Sequence, residues 1–155
     1  DMNKISLIKL VGLLTFLVFI SSCGGDKTVQ PNFPSLNTNF FSGCGNATCH
    51  RSGTDVYSFV QFDLNVDQAT AYTVLTSGTI KNLKNPACSN IPMVKAGDYA
   101  NSLVAAMAGS DADRATFAAA HGGCSPTRFS DMPQAVSSDV QSALQTWINA
   151  GAQSQ

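Results

Sequence analysis

The chain reads as all-α, a single mostly helical domain with long loops within 155 residues. Three observations predict this. Val140, Leu144, Trp147 and Ile148 fall at i, i+4, i+7 and i+8, one face of an α-helix. Residues 111–120 are alanine-rich and free of breakers. Asp67 stands as an N-cap before a third helical stretch. No internal repeat divides the chain.

In chain order, residues 1–22 read as an export signal. Lys4 and Lys9 form a basic n-region, and Leu10 to Ile20 is an apolar run broken only by Gly12 and Thr15. That run is shorter than the ~20 residues a membrane-spanning helix needs. Ile20-Ser21-Ser22-Cys23 resembles the lipobox of bacterial lipoproteins, which implies that Cys23 is acylated and begins the mature chain. The plain alternative is an ordinary signal peptide with an incidental cysteine. Residues 23–35 follow as a lipidated tether, since Gly24 to Pro34 carries Gly, Pro and polar residues without an apolar period.

The domain is expected over residues 36–152, with 153–155 as a tail. A short helix is predicted over Leu36 to Phe41, and Tyr57 to Leu64 fits an extended or an irregular segment. Asp67 opens a helix through about Thr76 that buries Ala71, Val74 and Leu75. Asn101 or Ser102 opens another, with Leu103 and Met107 one turn apart. The final helix has Ser138 as N-cap with Gln141 three positions on, a capping box, and Gly151 as its stop.

Composition narrows the function. Glutamate is absent, and charged residues make up 12% against a typical ~25%. Beyond residue 22, seven basic residues face nine aspartates, a net charge of −2. No basic run is present, which argues against a nucleic-acid partner. Membrane contact is expected through lipid alone.

The chemistry concentrates in Cys44-Gly45-Asn46-Ala47-Thr48-Cys49-His50. Cys-x-x-Cys-His is the attachment run of c-type haem, and here four residues separate the thiols instead of two. Two thiols that reach the two vinyl groups, with a histidine directly after the second, place an imidazole under the same ring. Gly45 and Asn46 both tolerate turn conformations, so the added residues are expected to bulge outward.

The five cysteines are Cys23, Cys44, Cys49, Cys88 and Cys124. If lipid takes Cys23 and haem takes Cys44 and Cys49, then Cys88 and Cys124 remain as a pair in an oxidising compartment. Two disulfides, Cys44–Cys49 and Cys88–Cys124, account for the same four cysteines, and sequence does not choose among the three pairings. Zinc on Cys44, Cys49 and His50 is the weaker reading, because a structural zinc wants a fourth ligand.

A haem iron needs a sixth ligand, and methionine sulfur opposite histidine is a common choice. Met132, between Asp131 and Pro133 in a non-periodic loop, is the first candidate, because the proline stiffens its backbone. Met93, after Pro92, is the second. Met107 reads as core beside Leu103. His121, next to Gly122 and Gly123, reads as a surface or capping residue.

Four segments in order resemble a small single-haem class I c-type cytochrome, over about residues 36–152. They are Cys44 to His50, Val94-Lys95-Ala96-Gly97-Asp98 with Asn101-Ser102-Leu103, Asp131-Met132-Pro133, and Trp147-Ile148-Asn149-Ala150-Gly151-Ala152. The longer loop between the thiols and the long 84–125 region with its cysteine pair depart from the family. The resemblance implies one covalent haem c held by Cys44 and Cys49, with His50 and Met132 on the iron. It also implies that first and last helices cross, bringing Phe40 or Phe41 to Trp147.

With both axial positions filled, such an iron transfers electrons and is no enzyme. Expected partners are redox proteins of the cell envelope, met alone or within a larger redox complex. The expected location is lipid-anchored, facing the periplasm or cell surface, with Gly24 after Cys23 favouring the outer membrane. The alternative is a haem-free, disulfide-stabilised envelope lipoprotein serving as a binding or structural module.

Overall fold

The computed structural model describes residues 28–45, 50, 52–53, 63–77, 81, 85–129 and 136–155. Every regular element among them is helical. The first helix, α1, is three turns in sequence: Phe33–Leu36, a π-helical turn Asn37–Phe41, and Ser42–Cys44. It begins earlier than the predicted Leu36, and for a physical reason. Asn32 is an N-cap whose Oδ1 accepts from Ser35 N at 2.9 Å, and Pro34 stands in the first turn. Phe33 and Pro34 therefore belong to the domain and not to the tether. Phe33 is fully buried.

Helix α2, Gln68–Thr76, starts where predicted. Asp67 is extended and its carboxylate accepts from Ala69 N and Thr70 N at 3.1 and 3.0 Å. Those bonds hold its carboxyl below the usual range, the Thr70 hydroxyl contributing most. Ala71 and Leu75 face the core and Val74 is half-buried. Short 3-10 turns follow at Pro86–Cys88 and Tyr99–Asn101.

Helix α3, Leu103–Ala108, follows Ser102, which is fully buried yet satisfied. Its Oγ accepts from Lys95 N at 2.8 Å and donates to the Asp98 carbonyl at 3.0 Å. Helix α4, Asp111–Ala120, matches the expected bounds and gains a capping box between Ser110 and Asp113. Helix α5, Ser138–Asn149, is capped by Ser137 and not by Ser138, with Ser137 Oγ accepting from Val140 N at 3.3 Å. The third helical position is therefore Val140, so Gln141 closes no capping box.

Gly151 ends α5 with φ +97°, the left-handed stop the sequence predicts. The tail then folds back. Ala152 N donates to Trp147 O at 2.9 Å, Trp147 Nε1 donates to Gln153 O at 2.7 Å, and the Tyr72 hydroxyl donates to Ala152 O at 2.9 Å. First and last helices pack together as expected, but the ring that stacks on Trp147 is Phe33, at 5.6 Å. Phe41 sits one ring further along, 6.1 Å from Phe33, and Phe40 lies 4.9 Å from Phe41. Each such ring pair adds about 0.5–1.5 kcal/mol beyond its buried area.

Cys88 and Cys124, 36 residues apart and both fully buried, form a disulfide with Cα atoms 4.7 Å apart. It ties the Pro86–Cys88 turn to the loop after α4. Among the described residues no helix is long and apolar enough to cross a membrane.

Candidate functional site

Cys44 is the last residue of α1, and its half-buried thiol donates to the Phe40 carbonyl at 3.7 Å. The chain leaves α1 there and returns to it at His50, whose N–H donates to the Cys44 carbonyl at 2.8 Å. Leu64 N in turn donates to the His50 carbonyl at 2.7 Å. His50 is thus held by its backbone on both sides, with its N–H on the carbonyl of the residue six positions earlier. Both side chains line one pocket.

Gly45 does not bulge outward as expected. It is buried with φ −85°, and its open face receives the Leu64–Asn65 backbone. A Cβ there would overlap the Leu64 carbonyl and come within 2.7 Å of Asn65 N. Glycine is required by close approach, not by a left-handed turn. Gly45→Ala is expected to cost about 1–3 kcal/mol, the usual cost of overpacking. A urea melt checks this, and an unchanged midpoint would contradict the packing described.

His50 and Cys44 line a small apolar pocket with Phe40, Phe41, Leu64 and Leu75. Met93, Met107 and Phe129 complete its walls. The π-helical turn of α1 contributes two of these, since Phe40 and Phe41 are both buried in it. Met93 is fixed by its neighbours: Leu103 N donates to Pro92 O at 3.0 Å, Val104 N to Met93 O at 3.2 Å, and Val94 N to Leu75 O at 3.0 Å. The walls meet closely and leave about 20 Å³, room for about one water.

Burial pushes the His50 imidazole down to about 4. It is neutral at ordinary pH, the form whose ring nitrogen binds a metal. In the chain without a bound group this has a sign. The unfolded histidine protonates near 6.5 and the folded one near 4, so the unfolded state binds more protons in between. Stability is therefore lost as pH falls from 6.5 to 4, by up to about 3 kcal/mol. The difference in urea stability between the parent chain and His50→Asn should show this slope; equal slopes would contradict it.

The structure brings together Cys44, His50, Met93 and Met107. Met107, expected as core, is both buried and on the wall facing His50's pocket. Met132, Cys49 and Cys23 lie outside the described residues. Phe129, three positions before Met132, is on the pocket wall, and three residues of chain span at most about 10 Å. His121 is elsewhere, at the C-cap of α4, with Nε2 3.0 Å from Asn101 Oδ1. Sequence reasoning passed over Leu64, Phe129 and Phe33; the signal for Phe129 is a lone aromatic residue in a polar Ser/Pro/Thr loop. Among the described residues no three His, Cys, Asp or Glu side chains gather as a metal site.

The donor types are those a covalent haem uses: the Cys44 thiol and the neutral His50 imidazole line one pocket, Met93 and Met107 are on its walls, and the other described wall residues are apolar, while Cys49 lies outside the described residues. A porphyrin needs more space than the walls leave in the chain by itself, so binding requires Phe40, Leu75, Met93 and their neighbours to part. Comparison with protein-family models, with curated proteins and with solved structures found no match.

Proposed function

We propose that this chain is an electron-transfer protein carrying one covalent c-type haem, anchored by lipid on Cys23 outside the cytoplasm. The observation that carries the reading is the Cys44 thiol and the His50 imidazole lining one pocket walled by aromatic, aliphatic and methionine side chains. Cys44 and Cys49 would hold the haem as thioethers and His50 would be the proximal ligand. Met132 would be the distal ligand, with Met93 as the second candidate. Bound there, the haem would supply a one-electron couple.

The remaining work belongs to the chain. Backbone bonds to the Cys44 carbonyl and from the Leu64 N–H fix the His50 main chain, and burial keeps its imidazole neutral. The phenylalanine and leucine walls exclude water, and a low-dielectric shell with a sulfur ligand raises the potential. Pairing of Cys88 with Cys124 is the disulfide that this division of cysteines requires, and the haem-free reading requires it as well. The cytochrome c-like arrangement of the fold is part of the same proposal, supported by the packing of Phe33 in α1 on Trp147 in α5. The partners would be redox proteins of the cell envelope.

A pyridine haemochrome spectrum of protein expressed with a cytochrome c maturation system tests the reading. A covalent haem signal is expected, and its absence would refute the proposal. The closeness of the pocket walls favours a second reading: a haem-free, disulfide-stabilised envelope lipoprotein that binds or supports other components. That reading predicts no visible absorption.

A further inference from the structure

Helix α3 is shared by two hollows. Met107 lines the His50 pocket, while Ala105 and Ala108 floor a separate groove of about 730 Å³ bounded by α4 and α5. That volume is in the range of small-molecule sites, ~300–1,000 Å³. Small residues on its floor leave that space open. Gly109 must be glycine, since a Cβ would lie 2.8 Å from Asp113 Cβ.

The walls have a distinct chemistry. Tyr99, half-buried, offers an aromatic face, and Gln141 and Gln145 stand one turn apart on α5. Among the described lining residues Asp113 is the one formally charged group, and neither Lys nor Arg is present to meet an anion. The Asp113 carboxylate is held as a fixed acceptor, with Oδ2 taking Ser110 N at 2.9 Å and Ser110 Oγ at 2.7 Å.

His121 has a defined role in this wall. Asn101 Nδ2 donates to both Asp98 oxygens, at 3.0 and 2.9 Å, so Asn101 Oδ1 is an acceptor. The bond from His121 Nε2 to that oxygen must then carry the hydrogen. The ring is further held against Phe117, 4.2 Å between centroids. Burial, and then the Asp113 charge, push the Tyr99 hydroxyl up, so it remains a donor at neutral pH.

The lining thus combines a fixed carboxylate acceptor, amides that both donate and accept, a phenolic donor and an aromatic face, with no Lys or Arg among its described residues. We propose that this groove binds a neutral saccharide, its ring lying against Tyr99 and its hydroxyls bonded to Gln141, Gln145 and His121. A hydroxyl-rich ring offers donors and acceptors on its edge and C–H groups on its face, which matches these walls. A small organic cation is the competing ligand, drawn to Asp113 alone. The proposal is independent of the haem.

The test is an amide chemical-shift titration of the purified mature protein with cellotriose, maltotriose, chitotriose and choline, each up to about 20 mM. At least one trisaccharide is expected to give saturable shifts at Ala105, Gln141 and Gln145. Gln145→Ala, an exposed change, should weaken that binding about tenfold while leaving the melting curve in place. Ala105→Leu, which fills the floor, should abolish it. No saturable shift with any trisaccharide, equal affinity in Gln145→Ala, or choline shifting these amides in place of the sugars would overturn the proposal.

Discussion

With the proposed haem in place, Met132→Ala is expected to turn its iron high-spin and to lower its reduction potential by a sizeable part of the ~0.8 V range that axial ligands span. Phe129 is part of the pocket wall, and Met132 follows within reach of three residues of chain. Loss of the sulfur would leave the sixth position open or to water, a weaker ligand. Met93→Ala is the companion measurement, because Met93 is buried on the same wall with its backbone held by Pro92, Val94 and their partners. If Met132→Ala leaves the ferric spectrum and potential in place and Met93→Ala changes both, the distal ligand is Met93.

Removing the disulfide has the next largest expected effect. Cys88→Ala with Cys124→Ala releases a loop closed over 36 residues of sequence. Chain entropy alone puts the loss at about 4 kcal/mol, and two buried sulfurs lose packing as well. Domains of this size have about 5–15 kcal/mol in total, so the variant should lose most of its margin in a urea melt. The loop so released includes Met93 and α3, both on the pocket, so haem retention should fall along with stability. A change of less than about 1 kcal/mol would show that the disulfide is incidental to the fold.

The helices that the sequence displays are those whose ends are written locally. Asp67 caps α2, Gly151 stops α5, and the face of Val140, Leu144, Trp147 and Ile148 is buried as its spacing predicts. Helix α4 has the bounds its alanine run implies. The start of α1 was also written there, in Asn32 and Pro34, but the Gly, Pro and polar residues before it resemble a tether. Its π-helical turn has no sequence period of its own, and it is fixed by burial of Phe40 and Phe41 against the rest of the molecule.

The site divides in the same way. Cys44 and His50 are legible because they stand in one short run that resembles a local motif. The walls are not, because they come from segments as distant as Phe40, Leu75, Met107 and Phe129, and only tertiary packing joins them. Gly45 shows the limit well. Its residue type permits a turn, yet its position is set by the Leu64–Asn65 backbone pressed against it. Phe33 likewise meets Trp147 only because α1 begins early enough to carry it there.

The most direct test of the central claim is the intact mass of the purified chain, followed by mapping of the peptide that contains Cys44, Cys49 and His50. The account predicts one haem added in mass, covalently retained by that peptide and lost when Cys44 and Cys49 are both replaced by serine. A mass without haem that rises by four hydrogens on reduction, with Cys44 linked to Cys49, would contradict it.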